Sequence, residues 1–486
     1  MIAGRRSPRA CLSRLAGLAL VLSVGVLPSL GAAAERPNIV LIVADDLGYG
    51  DVGFAGSTQI HTPHLDRLAR EGVIFTQGYV TAPVCSPSRA GFLTGRRQVR
   101  FGYDNNLVGH SPGFDPEYAG LPTDQRTIAD RLHDLDYITG LIGKWHLGSR
   151  PQFHPLERGF DEFWGFLGGS HSYFPAESEK TLDQDPWRLD VPMECSYGPS
   201  RPLTYLTDDI GDEAVGFVGR HADRAFFLYV SFNAPHTPMQ ALEEDLALYA
   251  GVEDERRRTY GAMVHRLDVN VGRILQALDD AGLARRTLVA FISDNGGPVD
   301  SNASINAPLN GQKGILLEGG VRVPFVLRWT GTLPEGSTFR SPVSTLDFVP
   351  TFVSAAGGAI TAEDELDGVD LLPYLTGETE GPPHEDMRWR FTISAALREG
   401  DWKLVRLPDR LPMLFDLSRD VSEQNDVALE NLERTRAMLK RLGSWDVTLP
   451  HPVFLEGAVW KKRQLQLYDR TYPLEQPATW AGPGSD

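Results

Sequence analysis

The chain has 486 residues, of which 42% are hydrophobic and 23% are charged, and it contains no low-complexity tract. These are ordinary values for a globular protein, and the length allows either one large α/β domain with a smaller one or about three small domains. The formal net charge of −17 argues against nucleic acid or an anionic membrane as the main partner, although a few cations focused in a cleft can still bind an anionic substrate.

The N-terminus has the pattern of an export signal. Four arginines precede or border a short apolar stretch at 15–26, and small residues at 31–34 offer a cleavage site after Ala34. A membrane anchor is the alternative, but the apolar stretch is short for crossing a bilayer. We therefore predict a signal peptide at 1–34, export to the periplasm or the exterior, and no stable membrane insertion. Its removal takes four arginines and no acid, which lowers the net charge from −17 to −21.

Four continuous apolar runs predict strands that are buried on both faces of a parallel sheet. Between the runs, residues 254–280 carry apolar side chains at helical spacing, and a helix is predicted to begin at Pro63 with Thr62 as its N-cap. Strands that alternate with helices predict a large, mostly parallel sheet flanked by helices, with a ligand site beyond the carboxyl ends of the strands. The four runs are 36–46, 137–148, 225–236 and 287–297.

The pattern changes near residue 380. Residues 395–406 predict a β-hairpin that turns at 399–401, and residues 428–443 predict an amphipathic helix. We therefore expect a large N-terminal catalytic domain followed by a smaller C-terminal α+β domain with an antiparallel sheet. The expected domains are 35–380 and 381–486, with a linker at 378–386.

Hard oxygen donors close two of the predicted strands. Asp45 and Asp46 end the first apolar run, and Asp294 and Asn295 end the last. Oxygen ligands suit calcium or magnesium rather than zinc or copper. Either pair alone is explained by a turn or a helix cap, but two pairs at one edge of a sheet favour a metal site.

Cationic side chains are expected at the same edge. Lys144 and His146 end the second run, His236 ends the third, and Arg89 and Lys313 lie on segments expected to reach them. Any one of these side chains alone would be an ordinary solvated group. Together they predict an anion pocket beside a divalent ion, with lysine and histidine able to transfer protons. This combination favours an oxyanion ester as substrate.

Cys85 lies in the sequence CSPSR, where Pro87 favours the start of a helix that would place Arg89 on the same side as Cys85. Backbone N–H groups at the helix start would then point at an anion. A small buried thiol and a thiolate nucleophile are both consistent with this setting. Neither explains the hard oxygen donors, because thiolates prefer softer ions.

The ordered set of motifs resembles the type I sulfatases. CSPSRAGFLTGR at 85–96 is similar to the family signature, whose core C-x-P-x-R directs oxidation of the cysteine to formylglycine. The resemblance covers essentially the whole mature chain and implies an alkaline-phosphatase-like α/β fold. The other matching stretches are PNIVLIVADDLGYGD at 37–51, GKWHLG at 143–148, PHTP at 235–238, SDNGG at 293–297 and GQKGILLEGGVRVP at 311–324.

The resemblance also implies a metal ion and a modified residue. The ion is expected to be Ca²⁺ in preference to Mg²⁺, and Cys85, converted to formylglycine by a maturation enzyme, would complete its coordination. The remaining ligands implied by the resemblance are Asp45, Asp46, Asp294 and Asn295.

The cationic residues take catalytic roles in the same comparison. Arg89, Lys144 and His146 would orient and activate the formylglycine. His236 and Lys313 would hold the sulfate and protonate the leaving alcohol. A further contact to the sulfate would come from Ser170 or His171, in the stretch GGSHSYF.

The implied reaction starts from the hydrated aldehyde, a gem-diol. One hydroxyl attacks sulfur while His236 or Lys313 protonates the departing oxygen. The resulting sulfated hemiacetal has a second hydroxyl, and removal of its proton by His146 expels sulfate and restores the aldehyde. A serine or an unmodified cysteine at this position would lack that exit.

The predicted function is therefore that of a sulfuric-ester hydrolase acting on a sulfated carbohydrate. The alternatives are an arylsulfatase with small substrates, a phosphonate or phosphodiester hydrolase that uses the same aldehyde, and a non-catalytic glycan-binding relative. The complete cationic set argues against the last, because a binding protein needs no proton donors beside a nucleophile.

Overall fold

The structure, a computed structural model, describes residues 36–107, 115, 117–175, 191–455 and 457–473. The predicted signal peptide at 1–34 lies outside the described residues. Among the helices that are described, none combines the length and the apolar character needed to cross a membrane.

The strands and helices of the described residues are numbered in chain order. The strands are β1 (Asn38–Ala44), β2 (Val73–Phe75), β3 (Gly78–Tyr79), β4 (Ile138–Lys144), β5 (Glu162–Phe166), β6 (Glu194–Cys195), β7 (Phe226–Ser231), β8 (Thr287–Ser293), β9 (Phe325–Arg328), β10 (Ser337–Phe339), β11 (Val343–Ser344), β12 (Asp386–Phe391), β13 (Ser394–Glu399), β14 (Trp402–Arg406) and β15 (Met413–Asp416). The helices are α1 (Pro63–Arg70), α2 (Cys85–Thr94), α3 (Ile128–His133), α4 (Leu206–Arg220), α5 (Glu243–Leu248), α6 (Glu255–Asp280), α7 (Val299–Asn302), α8 (Glu318–Val321), α9 (Phe348–Ala355), α10 (Leu372–Leu375), α11 (Leu432–Asp446) and α12 (Ala458–Thr471).

The central sheet has nine strands in the order β10-β2-β9-β8-β1-β7-β4-β5-β6. The five strands from β8 to β5 are mutually parallel, and they include all four strands predicted from the apolar runs. β9 is antiparallel to its neighbours β2 and β8, and β6 is antiparallel to β5. The prediction of a large, mostly parallel sheet is therefore confirmed.

Helices cover both faces of this sheet, so β1 is buried along its whole length, and its residues 39–44 are all apolar. Val40 and Ile42 face a core shared with α1, α4 and α6. Ile39 and Leu41 face the opposite core, shared with α2, α3 and α9. This alternation is the two-residue period of a strand, and it explains why the run shows no polar face.

The start of α1 differs in its capping from the prediction. Thr62 occupies the N-cap position, but its side chain makes no capping hydrogen bond and instead accepts from the backbone N–H of Gly53, 2.8 Å away. The carboxylate of Asp268, on α6, accepts from the N–H groups of His64 and Leu65 at 3.2 and 2.7 Å. A residue distant in the chain therefore satisfies the free donors at this helix end.

A second, four-stranded antiparallel sheet follows in the order β12-β13-β14-β15. The predicted hairpin is β13 and β14, and Gly400 takes a φ of 55° at its turn. The predicted helix is α11, which packs on one face of this sheet through Met438 and Leu442. The other face packs against residues 315–317 and α12. A smaller C-terminal α+β region is thus confirmed, while the domain boundary at 380–381 stays a prediction.

Candidate active site

The strand register brings the predicted site residues together. Ala44, the last residue of β1, lies opposite Ser293, the last residue of β8, so Asp45 and Asp294 leave the sheet side by side. β7 lies on the other side of β1 with Ser231 opposite Val43, and the chain after β7 leads to His236. Because these strands are parallel, their carboxyl ends share one edge, as expected for a ligand site in such a sheet.

Three carboxylates and the thiol form the centre of the site. One ligand atom from each of Asp45, Asp46, Cys85 and Asp294 lies within 4.8 Å of all the others, and all four residues are buried. Asn295 donates from Nδ2 to Asp46 Oδ1 at 2.7 Å. Its Oδ1 is buried and has no hydrogen-bond partner among the described residues. A buried acceptor beside three carboxylates fits the donor set of a hard cation such as Ca²⁺.

Cys85 is the first residue of α2, as the sequence predicted for the start of a helix at CSPSR. Its Sγ lies 3.4 Å from Asp45 Oδ1 and 3.0 Å from Lys313 Nζ. Burial, followed by the negative charge of Asp45, raises the pKa of the thiol well above its usual value, despite the nearby lysines. An unmodified Cys85 is therefore a neutral thiol in this setting, which argues against the thiolate hypothesis.

Arg89 is completely buried and lies one helical turn after Cys85. Its Nε and Nη2 donate to Asp294 Oδ2 at 3.0 and 2.8 Å. Its Nη1 donates to Tyr229 OH at 2.9 Å and to Ser231 Oγ at 2.5 Å. These bonds orient the guanidinium group from three sides and so fix α2 relative to β7 and β8.

Lys144, the last residue of β4, is buried and forms an ion pair with Asp45. Burial raises the pKa of Asp45, but the charges of Lys144, His236, Arg89 and Lys313 outweigh it and hold that pKa well below its ordinary value. The carboxylate is therefore ionised in the folded protein. An ionised carboxylate is the form that ligates a metal.

His146 is held in an unusual backbone conformation, with a φ of 60°. Ser86 Oγ, on α2, donates to its carbonyl oxygen at 2.7 Å, and Tyr103 OH lies 2.6 Å from the same Ser86 Oγ. Burial, with Lys144 and Arg89, lowers the pKa of His146 well below its ordinary value, so the ring is neutral. A neutral imidazole can accept a proton.

His236 and Lys313 are at the more open side of the site, with 17% and 10% of their side chains exposed. His236 Nε2 lies 3.5 Å from Asp46 Oδ2, and Lys313 Nζ donates to Asp46 Oδ1 at 2.7 Å. His236 Nδ1 lies 2.6 Å from the carbonyl oxygen of Thr237, to which it donates. Burial lowers the pKa of His236 below its ordinary value, which favours the neutral ring. Both side chains are placed where an anionic substrate can approach the centre.

Ser170 and His171 lie on the loop that covers His146. A Cβ added at Gly169 would come within 2.7 Å of His146 Nε2, so the loop backbone passes directly over the ring. His171 is buried, and its Nδ1 and Nε2 each lie 2.7 Å from a backbone carbonyl oxygen, those of Ser172 and Val191. Ser170 is partly exposed. The loop therefore lies at the site, and both ring nitrogens of His171 contact backbone carbonyl oxygens.

Several supporting residues were not predicted from the sequence. Tyr229 and Ser231, which bind Arg89, belong to the buried strand β7 and appear in the sequence as part of an apolar run. Asn302 donates from Nδ2 to the carbonyl oxygen of Asp46 at 3.1 Å. Ser86 lies inside the CSPSR motif at a position the signature leaves variable. The only sequence signal for Ser231 was a small polar residue in a strand that is otherwise apolar or aromatic.

Comparison with known proteins agrees with this geometry. The sulfatase family profile matches residues 37–359. N-acetylgalactosamine-6-sulfatase of Homo sapiens is 34% identical over 448 residues, which cover 84% of each chain. Steryl-sulfatase of Mus musculus is 35% identical over 529 residues, covering 86% of this chain and 83% of its own.

Among solved structures, that of Ps i-CgsB in complex with k-i-k-neocarrahexaose superposes with a TM-score of 0.81. It is 36% identical and covers 89% of this chain and 97% of its own. The fold is that of an enzyme of the alkaline-phosphatase-like superfamily. The chain belongs to the sulfatase family, and it is a sulfate-ester hydrolase.

Proposed function

We propose that this sulfatase removes sulfate from a sulfated carbohydrate outside the cytoplasm, using a formylglycine made from Cys85 and a bound Ca²⁺. The observation that carries the proposal is the contact of Lys313 Nζ with Cys85 Sγ, at 3.0 Å, beside a cluster of buried carboxylates. The contact supports the proposal because a lysine ammonium group and a metal-type donor set meet at one atom at the edge of the sheet.

A carbohydrate substrate is supported by the named specificities of similar proteins. N-acetylgalactosamine-6-sulfatases are 31–35% identical to this chain, and the Ps i-CgsB structure holds a neocarrahexaose. Steryl-sulfatase is about equally similar but is named for a sterol. The choice of a carbohydrate over a sterol therefore rests on further observations. The export pattern at 1–34 and the acidic composition favour an extracellular polysaccharide fragment.

The residues around position 85 fit the two cofactors. Asp45, Asp46, Asp294 and Asn295 would hold Ca²⁺ together with residue 85, and the ion supplies positive charge beside the nucleophile and the sulfate oxygens. Formylglycine supplies a hydroxyl nucleophile that can be regenerated, which a serine or a cysteine does not.

The chain's own side chains hold the substrate and move protons. Lys313 Nζ is positioned to bind a sulfate oxygen and to protonate the leaving alcohol, with His236 beside it. Lys144 keeps Asp45 ionised, and Arg89 holds Asp294 in place through its ion pair. His146, neutral and shielded by the Gly169 loop, is positioned to accept a proton near residue 85. Ser170 is the candidate for a further sulfate contact, with His171 fixing the loop.

The test uses protein produced with a formylglycine-generating enzyme. Peptide mass spectrometry should show conversion of Cys85, and the enzyme should release sulfate from a sulfated oligosaccharide more efficiently than phosphate from the matching phosphodiester. Cys85→Ser should abolish multiple turnovers and keep the fold, whereas Cys195→Ser, which changes the other described cysteine, should keep full activity. Repeated turnover by Cys85→Ser, or a preference for the phosphodiester, would overturn the proposal.

A further inference from the structure

Helix α12 forms a basic groove beside the loop that carries Lys313. The groove has a volume of about 640 Å³, and its charged lining residues are Lys462, Arg463, Arg470 and Asp300. The one acid of α12, Asp469, forms an ion pair with Arg410 and does not line the groove. The groove therefore carries a net positive charge on a chain whose formal net charge is −17.

The groove is separated from the reaction centre by one short helix, α7. Arg463 Nη2 donates to Ser301 Oγ at 3.3 Å. The next residue, Asn302, donates to the carbonyl oxygen of Asp46 at 3.1 Å, and consecutive Cα atoms are about 3.8 Å apart. Arg463 and Asp46 thus contact adjacent residues of the same helix, which places the groove one short helix away from the cluster of Asp45, Asp46, Cys85 and Asp294.

A second set of contacts fixes the groove relative to Lys313. Arg470 Nη1 donates to Asp300 Oδ2 at 2.7 Å, and the same oxygen accepts from Gln312 Nε2 at 3.1 Å. Gln312 directly precedes Lys313. Tyr468 OH, on the buried side of α12, accepts from the N–H of Leu316 at 2.8 Å. The helix and the Lys313 loop are therefore held together on both sides of the lysine.

Part of the positive charge in the groove is available to a ligand. Lys462 is exposed and has no acidic partner among the described residues, since the nearby Asp300 pairs with Arg470. Arg463 is oriented by Ser301 and by the ring of Trp460, 5.2 Å from its guanidinium carbon, neither of which neutralises it. Arginine and lysine are the side chains that recognise tetrahedral oxyanions. On an acidic protein, a cationic patch near the reaction centre concentrates polyanions locally.

From these contacts we propose that the α12 groove is a second anion subsite, which binds a sulfate on a neighbouring sugar of a polysulfated carbohydrate while another sulfate of the same molecule lies at residue 85. The inference rests on the proposed carbohydrate substrate. It assigns to Lys462 and Arg463 a role in affinity and specificity, with no part in bond cleavage.

The test compares Lys462→Glu with Lys440→Glu. Lys440 is exposed on α11, which packs on the opposite face of the second sheet, so the second variant makes the same charge change far from the groove. Binding of a polysulfated carrageenan hexasaccharide is measured by calorimetry at low and high salt. Hydrolysis of a monosulfated monosaccharide and of the hexasaccharide is measured in parallel with matured enzyme.

Lys462→Glu should bind the hexasaccharide about five- to tenfold more weakly at low salt, with a smaller difference at high salt, since the charges at an exposed rim are screened. Its kcat/KM for the monosulfated sugar should stay within about twofold of the wild-type value, and Lys440→Glu should match the wild type throughout. Equal binding by the two variants, or no binding of the hexasaccharide by the wild type, would overturn the subsite. Binding without release of sulfate from either compound would instead refute the proposed function and leave the subsite standing.

Discussion

Ser86→Ala should show how strongly the helix that carries Cys85 is coupled to His146. Ser86 Oγ donates to the carbonyl oxygen of His146 at 2.7 Å, and since its single proton is used there, Tyr103 OH donates to it at 2.6 Å. All three groups are buried. The substitution removes both hydrogen bonds and leaves a buried carbonyl and a buried hydroxyl without this partner.

The expected loss of stability follows from that count. A buried polar group that loses its partner costs about 1–3 kcal/mol, and part of this is returned because the serine hydroxyl no longer has to be desolvated. We therefore expect a loss of about 2–4 kcal/mol in the free energy of unfolding, measured by urea denaturation. Because His146 is held at a φ of 60°, loosening its carbonyl should also move the ring and lower kcat by about 10- to 100-fold.

Ser88→Ala is the matched control. Ser88 lies on the same helix and is equally buried, but its Oγ has no hydrogen-bond partner among the described residues. Its removal should be neutral or slightly stabilising, and both positions are variable in C-x-P-x-R, so mass spectrometry should show normal conversion of Cys85 in both variants. A Ser86→Ala protein as stable and active as Ser88→Ala would refute the reasoning.

Two further predictions concern buried charges outside the reaction centre. Burial raises the pKa of Asp268 to about 7, although two backbone N–H donors oppose the shift. Between about pH 4 and 7 the folded protein therefore keeps this carboxyl protonated, while the unfolded chain releases the proton. The contribution of Asp268 to the free energy of unfolding falls as the pH rises through this range. Asp268→Asn removes the titration, so its stability relative to the wild type should improve by up to about 1.4 kcal/mol per pH unit across that range, measured by urea denaturation at several pH values. Lys403 Nζ lies 2.9 Å from both Glu318 Oε1 and Glu423 Oε1, and all three side chains are buried. Lys403→Met leaves Glu423 without an ion-pair partner among the described residues, while Glu318 keeps Arg322, and should cost about 3–5 kcal/mol in the free energy of unfolding.

Each of these predictions has a control on the same chain. Asp280→Asn, at the exposed end of α6, should leave the pH profile unchanged, and a constant difference between Asp268→Asn and the wild type would show that Asp268 is ionised throughout. Lys440→Met should change stability by less than about 0.5 kcal/mol. A loss below about 1 kcal/mol for Lys403→Met would mean that the two glutamates are not charged together in the folded protein.

Much of the fold and of the candidate site was accessible from local sequence patterns. The four apolar runs became β1, β4, β7 and β8, because a strand buried on both faces needs apolar residues at every position. The parallel arrangement then brings the polar residues that follow these strands to one edge. The CSPSR motif also predicted the start of α2 and the placement of Arg89 one turn after Cys85, since both depend only on helical spacing.

What the sequence by itself determined is therefore the set of elements and the identity of the residues at the strand ends, because both follow from periodicities of two and 3.6 residues. Only the tertiary structure decided which distant groups support them: Asp268 rather than Thr62 binds the first N–H groups of α1, Tyr229 and Ser231 orient Arg89, and α12 lies against the loop of Lys313. These contacts join segments that are far apart in the chain. They depend on how the helices pack on the sheet and on the strand register, and the local spacing of residues in the sequence contains no information about either.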